Sequence, residues 1–263
     1  MKTENLKDVY NPEGSSLRTL QLRMLEILKS VDAACKKHNI PYWLSSGTLL
    51  GAVRHEGFIP WDDDIDIELL RDDYQKLLKI LPQELPEEYV LQTTETDSGY
   101  VYLYAKVRDT NSYIEEKCVF NKHFQYNGAF IDIFPLEPTN KRLAKIASVC
   151  YNRMCLGIVE KNKVNPTFRF SYKLLTQLIF PLFRFISPSY RKGIVHHTYG
   201  VGFLNYERRI EEVFPLSKVA FEGYEFNAPN NCDAYLKRLY GDDYMKIPDN
   251  IEYHIAETNI KIW

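Results

Sequence analysis

Residues 44–68 read LSSGTLLGAVRHEGFIPWDDDIDIE, and the pattern changes period within them. IPYWLSS (40–46) reads as a short strand, and GTLLGAVRHEG as a short helix that opens at Gly47 and closes before Gly57. From Asp64 to Leu69 acid and aliphatic residues alternate: Asp64, Asp66 and Glu68 point one way, and Ile65, Ile67 and Leu69 the other. An aliphatic face of that kind belongs on a core, which sets the carboxylates in a cleft. Two ionised carboxylates ~5 Å apart repel by about 3 kcal/mol at an effective dielectric of ~20, so such a pair calls for a cation. All-oxygen ligands suit a hard divalent ion such as Mg²⁺, which keeps waters and takes its remaining ligands from phosphates.

Outward from this stretch the elements alternate. Apolar residues from Leu17 to Cys35 follow one helical face, with Ser15 or Ser16 as N-cap. A second helix is expected from Arg71 to Leu81, ending at Pro82. Strands are expected at 89–93, 100–108 and 128–134, and helices near 140–161, 168–187 and 189–199 before a tail punctuated by Gly223, Pro229, Gly241 and Pro248. The expected class is α/β (α+β): a mixed sheet flanked by helices over residues 1–138, with a mostly helical lobe over 139–263.

The chain has 263 residues, 45% of them hydrophobic and 26% charged, with a formal net charge of −2. That balance fits a folded domain and gives no global attraction to nucleic acid. Five scattered cysteines without a C-x-x-C pair argue against a disulfide framework or zinc module. The polar start MKTENLKDVYNPEG carries no apolar run before a cleavage site, so no secretory signal is expected and the address is read as cytoplasmic. KLLTQLIFPLFRFIS (173–187) is too short to span a bilayer. It reads as core, or as a weak contact with the inner membrane face if the acceptor is carried on a lipid.

FIDIFP places Asp132 between Ile131 and Ile133 on another strand, so a third carboxylate can join Asp64 and Asp66, and three acids can hold two metals. Backbone N–H groups at the start of the Gly47 helix, with the hydroxyls of Ser45, Ser46 and Thr48, can cradle phosphate. Arg54 and His55 at the helix end can reach donor phosphates, and Lys106 with Arg108 on one strand face can neutralise a leaving phosphate. Asp62 and Asp63 are read as shaping the loop or standing just behind the metal ligands, Trp61 as packing, and His196-His197 as structural.

GTLLGAVRHEGFIPWDDDIDIELL, together with YAKVRDTNS, FIDIFPLEP and, more loosely, YLKRLYGDDYMKIPDNIEYH (235–254), resembles the LicD family of the nucleotidyltransferase superfamily and is similar to the catalytic region of the fukutin-related transferases. The resemblance implies a nucleotidyltransferase-like fold and transfer of phosphocholine, or a related phospho-alcohol, from CDP-choline or another CDP-alcohol to a hydroxyl of a glycan precursor. CMP would be released. It further implies that Asp64 and Asp66 hold both of two Mg²⁺ (or Mn²⁺) ions, and that Asp132 holds the catalytic one and receives the acceptor proton. His254 matches a family position near the donor. A choline head group wants aromatic faces, for which Tyr240 and Tyr244 are the candidates. Two alternatives stand beside this reading: transfer of the nucleotide itself with release of pyrophosphate, and a non-catalytic nucleotide- or metal-binding module.

Overall fold

The computed structural model describes residues 3–115, 120–139, 141–161, 164, 166–187, 193–201, 207–248, 251 and 260–262. Helix α1 (Thr3–Tyr10) precedes α2 (Ser16–Lys37), which starts where Ser15 accepts the N–H of Arg18. A hydroxyl cap of this kind satisfies one of the orphan donors of the first turn. The periodic face of α2 buries Leu20, Met24, Ile27, Leu28 and Val31 completely, each contributing about 1.5–3 kcal/mol of transfer free energy.

Strand β1 (Trp43–Leu44) leads into α3 (Ser46–His55), and β2 (Asp66–Leu70) into α4 (Arg71–Glu84). Then come β3 (Tyr89–Gln92), β4 (Ala105–Asp109), β5 (Ser112–Ile114) and the long β6 (Phe130–Glu137). The sheet runs β1-β2-β6-β4-β3, with β2 and β6 parallel and the other neighbours on that path antiparallel. The two parallel strands lie side by side at its centre and carry the acids. The fold is mixed α/β with a curled sheet and flanking helices, as the sequence pattern predicts.

Helix α5 (Lys141–Lys161) is followed by α6 (Pro166–Leu174), one widened π turn over Leu175–Ile179, and α7 (Phe180–Ile186). Strands β7 (Ile194–His197) and β8 (Arg208–Arg209), helix α8 (Ile210–Val213), the hairpin β9 (Ser217–Phe221) and β10 (Tyr224–Ala228), helix α9 (Cys232–Tyr240) and β11 (Ile260–Ile262) complete the order. Phe221, Phe226, Tyr235 and Leu236 from this tail enter the same buried cluster as α2 and the central strands. Tyr100, Val101, Phe124, Tyr151, Cys155 and Phe168 form a separate cluster under α5 and α6.

Three local expectations are corrected. Pro82 does not end α4, which continues to Glu84: it falls in the last turn, where buried Leu77 and Leu81 already pin the helix. The strand expected from Tyr100 begins only at Ala105, because Tyr100 and Tyr102 turn away to pack on Phe124. The helix expected over 189–199 gives a strand at Ile194–His197, since it pairs with β6 through Leu136↔His197 and Glu137↔His196. Hydrogen bonding to an existing sheet outweighs local propensity there.

Candidate active site

The parallel ladder places Asp66 of β2 directly opposite Asp132 of β6. Antiparallel β4 puts Lys106 opposite Asp132 on its other side, with Nζ 2.6 Å from Oδ1. Three strands therefore deliver two carboxylates and an ammonium to one spot. The ammonium lies 3.4 Å from the centre of the Phe130 ring, so it is held in a dry position where a cation on an aromatic face is favourable.

The loop before β2 brings in more acid. Asp62, Asp63 and Asp64 offer carboxylate oxygens that all lie within 4.8 Å of one another. Burial, then Asp64, Asp132 and Asp62, push the Asp66 carboxyl well above its ordinary range, and Lys106 offsets part of this. Asp62 is raised likewise, by burial and then by Asp64 and Asp63, with Arg54 opposing. Crowding buried carboxylates this way is unfavourable until a cation joins them. The donor set is all carboxylate oxygen, and it fits hard divalent ions such as Mg²⁺ or Mn²⁺. Asp62 and Asp63, read from the sequence as shaping the loop or standing just behind the metal ligands, lie beside Asp64 in this group.

Gly47 explains how. A Cβ at that position would lie 2.8 Å from Asp62 Oδ2, so the missing side chain lets the carboxylate approach the first turn of α3. Ser46 and Gly47 are half-buried there, next to the N-terminal N–H groups of the helix. Ser45 and Thr48 face inward instead. Thr48 Oγ1 accepts the N–H of Asp66 at 2.8 Å, and Ser45 Oγ, fully buried, meets Tyr235 Oη at 3.0 Å. These two hydroxyls position β2 and α9, leaving Ser46 and Gly47 half-buried at the open first turn of the helix.

Arg54 donates to the carbonyls of Tyr244 and Lys246 at 3.1 and 3.0 Å and through Nε to His55 Nε2 at 2.9 Å, while its charge acts on Asp62. It ties the stretch after α9 to the acid cluster. Burial, then the adjacent Arg54 charge, lowers the His55 pKa to about 4, so its imidazole is neutral at physiological pH. Arg108 is fully buried, donating to Gln92 at 2.7 Å and to the Gly128 carbonyl at 2.8 Å; it props β3 and the turn that enters β6. Tyr244 spends its hydroxyl on Asp233 at 3.0 Å. Tyr240 is the better placed of the two tyrosines, because burial and then Asp66, Asp62 and Asp64 raise its hydroxyl pKa. His254 lies outside the described residues.

An aromatic wall continues the site. Tyr104 packs on Phe134 with ring centres 4.4 Å apart and on Tyr102 at 5.1 Å, nearly parallel. The Tyr104 hydroxyl pKa is pushed up by burial and then by Asp132, so this ring adjoins the carboxylates. Beyond it opens a cavity of about 420 Å³, lined among others by Tyr102, Tyr104, Phe120 and Tyr151. The run YVYLYAK, with Tyr100, Tyr102, Tyr104 and Lys106 at alternate positions, carried the signal for this wall.

A family model described as LicD/FKTN/FKRP, nucleotidyltransferase domain, matches residues 39–167. The chain is 32% identical over 262 residues, 93% of its own length and 98% of the relative's, to the lipopolysaccharide cholinephosphotransferase LicD of Haemophilus influenzae. It is 28% identical over 142 residues to the ribitol 5-phosphate transferase FKRP of Mus musculus, covering 52% of this chain and 25% of that protein. With the ribitol-5-phosphate transferase FKTN of the same species it shares 37% identity over 62 residues, 24% of this chain and 13% of that one.

Proposed function

The chain belongs to the LicD family and is a phosphotransferase, and on that premise we propose that it moves phosphocholine from CDP-choline to a hydroxyl of a cell-surface glycan precursor, releasing CMP. The observation that carries this reading is the Asp66↔Asp132 register with Lys106 on the far side, set between the open first turn of α3 and an aromatic cavity. Asp62, Asp63, Asp64, Asp66 and Asp132 would hold two Mg²⁺ or Mn²⁺ ions, which when bound would offset the negative charge of the donor phosphates and of the transition state.

The protein's own groups do the rest. Ser46, Gly47 and the α3 N–H groups orient the donor pyrophosphate, aided by the positive end of the helix. Arg54, facing Asp62, adds charge at the same edge. The acceptor oxygen attacks the phosphorus that bears choline, its proton passes to the Asp132 carboxylate, and the bond to the CMP oxygen breaks with its electron pair leaving on CMP. Lys106 fixes the orientation of Asp132 and balances its charge.

The cavity supports choline over a polyol. Its aromatic lining would favour a trimethylammonium group, and its predominantly apolar character would leave most hydroxyls of ribitol or glycerol without partners, at a cost of about 1–3 kcal/mol for each group left unpaired. The test is incubation with Mg²⁺, a glycan acceptor and either CDP-choline, CDP-ribitol or nucleoside triphosphates, with products resolved by mass. CMP together with phosphocholine on the acceptor is expected. Pyrophosphate release with nucleotide on the acceptor would replace the reading with nucleotide transfer, and preference for CDP-ribitol would overturn the assignment of the cavity.

A further inference from the structure

The helices α5, α6 and α7 leave an outward face that the transfer chemistry does not use. Along the continuous helix from Pro166 to Ile186, Phe170, Leu174, Leu178, Leu182, Phe185 and Ile186 are exposed, from 41% at Leu174 to 88% at Phe185. The four-residue spacing would drift around a regular helix of 3.6 residues per turn. The π turn at Leu175–Ile179 slows that drift, because it takes more residues per revolution, and it helps keep the stripe on one side. The inward side of the same helix is apolar too, with Phe168 and Phe180 buried. The outward side, which a surface helix ordinarily leaves polar, thus carries large apolar residues among exposed Arg169, Lys173 and Gln177.

Charge says what covers it. Residues 141–187 contain nine Lys and Arg against one acid, Glu160, a balance of +8 in a chain whose net formal charge is −2. On α5 the exposed Ile146, Val149 and Leu156 alternate with exposed Lys145 and Arg153. Among the described exposed positions of these helices there is no Asp or Glu. Large apolar side chains set among Lys and Arg are the composition of a helix that lies in the plane of an anionic bilayer surface. A second copy of the chain docking face to face would bring two like-charged surfaces together, which opposes it. Among the described residues no helix is long and apolar enough to cross a membrane, so the contact is with the surface.

We infer that the outward face of α5, α6 and α7 docks on an anionic membrane surface. Leu156 joins this face to the site: it lines the aromatic cavity and is also 55% exposed, so the docking face borders the cavity next to the carboxylates. The inference rests on the placement of these side chains and stands whichever group the enzyme transfers.

Flotation of the full chain with vesicles tests it. The protein is expected to float with vesicles of phosphatidylcholine and phosphatidylglycerol in equal parts, to remain below with phosphatidylcholine alone, and to bind less as salt is raised. The double variant Leu178→Glu/Phe185→Glu should lower the bound fraction by about tenfold or more with an unchanged melting temperature, and Lys145→Glu/Lys173→Glu should weaken binding to the anionic vesicles specifically. Equal behaviour with both vesicle types, or unaltered flotation of the apolar variant, overturns the inference. So does light scattering that shows a dimer which Leu178→Glu/Phe185→Glu dissociates, because the face would then be covered by a second copy.

Discussion

Asp66 and Glu68 stand two residues apart on one face of one strand, and their surroundings push them in opposite directions. Burial and three neighbouring aspartates raise the Asp66 carboxyl. Burial alone would raise Glu68 as well, but Arg208 and then His197 more than reverse it, holding the group well below the usual carboxylate range. The Glu68 carboxylate receives Arg208 Nη2 at 2.6 Å, Trp43 Nε1 at 3.2 Å and the hydroxyl of Tyr235, and meets His197 Nε2 at 2.9 Å. A buried acid furnished with several donors is a structural joint, here binding β2 to β1, β7, β8 and α9. Its neighbour Asp66 is crowded by further acids instead, an arrangement that is unfavourable unless positive charge offsets it.

The sharpest way to break this contrast is to neutralise each acid. Asp132→Asn is expected to lower the rate of CMP release by about 10⁴-fold, which is about 5.4 kcal/mol of transition-state stabilisation, while urea unfolding shows a smaller loss than in Glu68→Gln, because Asp66 still faces Lys106 and repulsion among the acids is relieved. Calorimetry should find that it keeps most of its CDP-choline affinity in Mg²⁺, whereas Asp64→Asn loses both affinity and turnover. Near-parental turnover in Asp132→Asn would remove it from the chemistry. Glu68→Gln should behave in the reverse sense, costing about 3–5 kcal/mol in urea unfolding because Arg208 is left buried with its charge uncompensated. A neutral result there would mean that the network does not hold the strand.

Metal provides a third discriminator. EDTA is expected to abolish transfer, and Mg²⁺ at a hundred times its Kd should stabilise the parental protein by about 2.7 kcal/mol in a thermal melt. Asp66→Asn should lose most of that gain. A full Mg²⁺ shift in Asp66→Asn would move the ion away from this acid.

The smallest expected effect is a pH dependence at His55. Its folded-state pKa, about 4, lies below the ordinary 6.5, so the unfolded chain takes up the proton more readily. The stability linked to its neutral form is complete above pH ~6.5, declines as pH falls below that, and is gone by about pH 4. Urea midpoints measured across this window should decline less in His55→Gln than in the parent, and identical slopes would show that His55 does not contribute.

Much of the centre was legible in the primary structure because it is local. The switch from a helical period to strict alternation located α3 and β2, and Asp132 between two isoleucines announced a second acidic strand. Local spacing could not show that the Asp62 carboxylate meets those of Asp63 and Asp64, because its approach to α3 depends on Gly47, fifteen positions back in the chain, leaving room for it. Lys106 was expected to meet a phosphate and is found paired with Asp132. Arg108, two residues along, is enclosed by Gln92 and Gly128, since strand alternation fixes the face of a side chain but not its depth.

Periodicity and spacing by themselves determined the class of fold, the shared face of Asp66 and Glu68, and the turn that opens α3, because each is set by dihedral preferences and alternation over a few residues; Asp64, expected on the same strand, lies in the loop before it. Tertiary structure decided that Asp66 lies opposite Asp132 and that Glu68 is enclosed by Arg208, His197 and Tyr235. It also decided that Tyr104 walls a cavity beside the acids. His197, Arg208 and Tyr235 lie 129 to 167 positions from Glu68 along the chain. Contacts at that separation depend on strand order and on the packing of distant elements, so no local pattern could distinguish the acid that binds strands together from the one crowded among further aspartates.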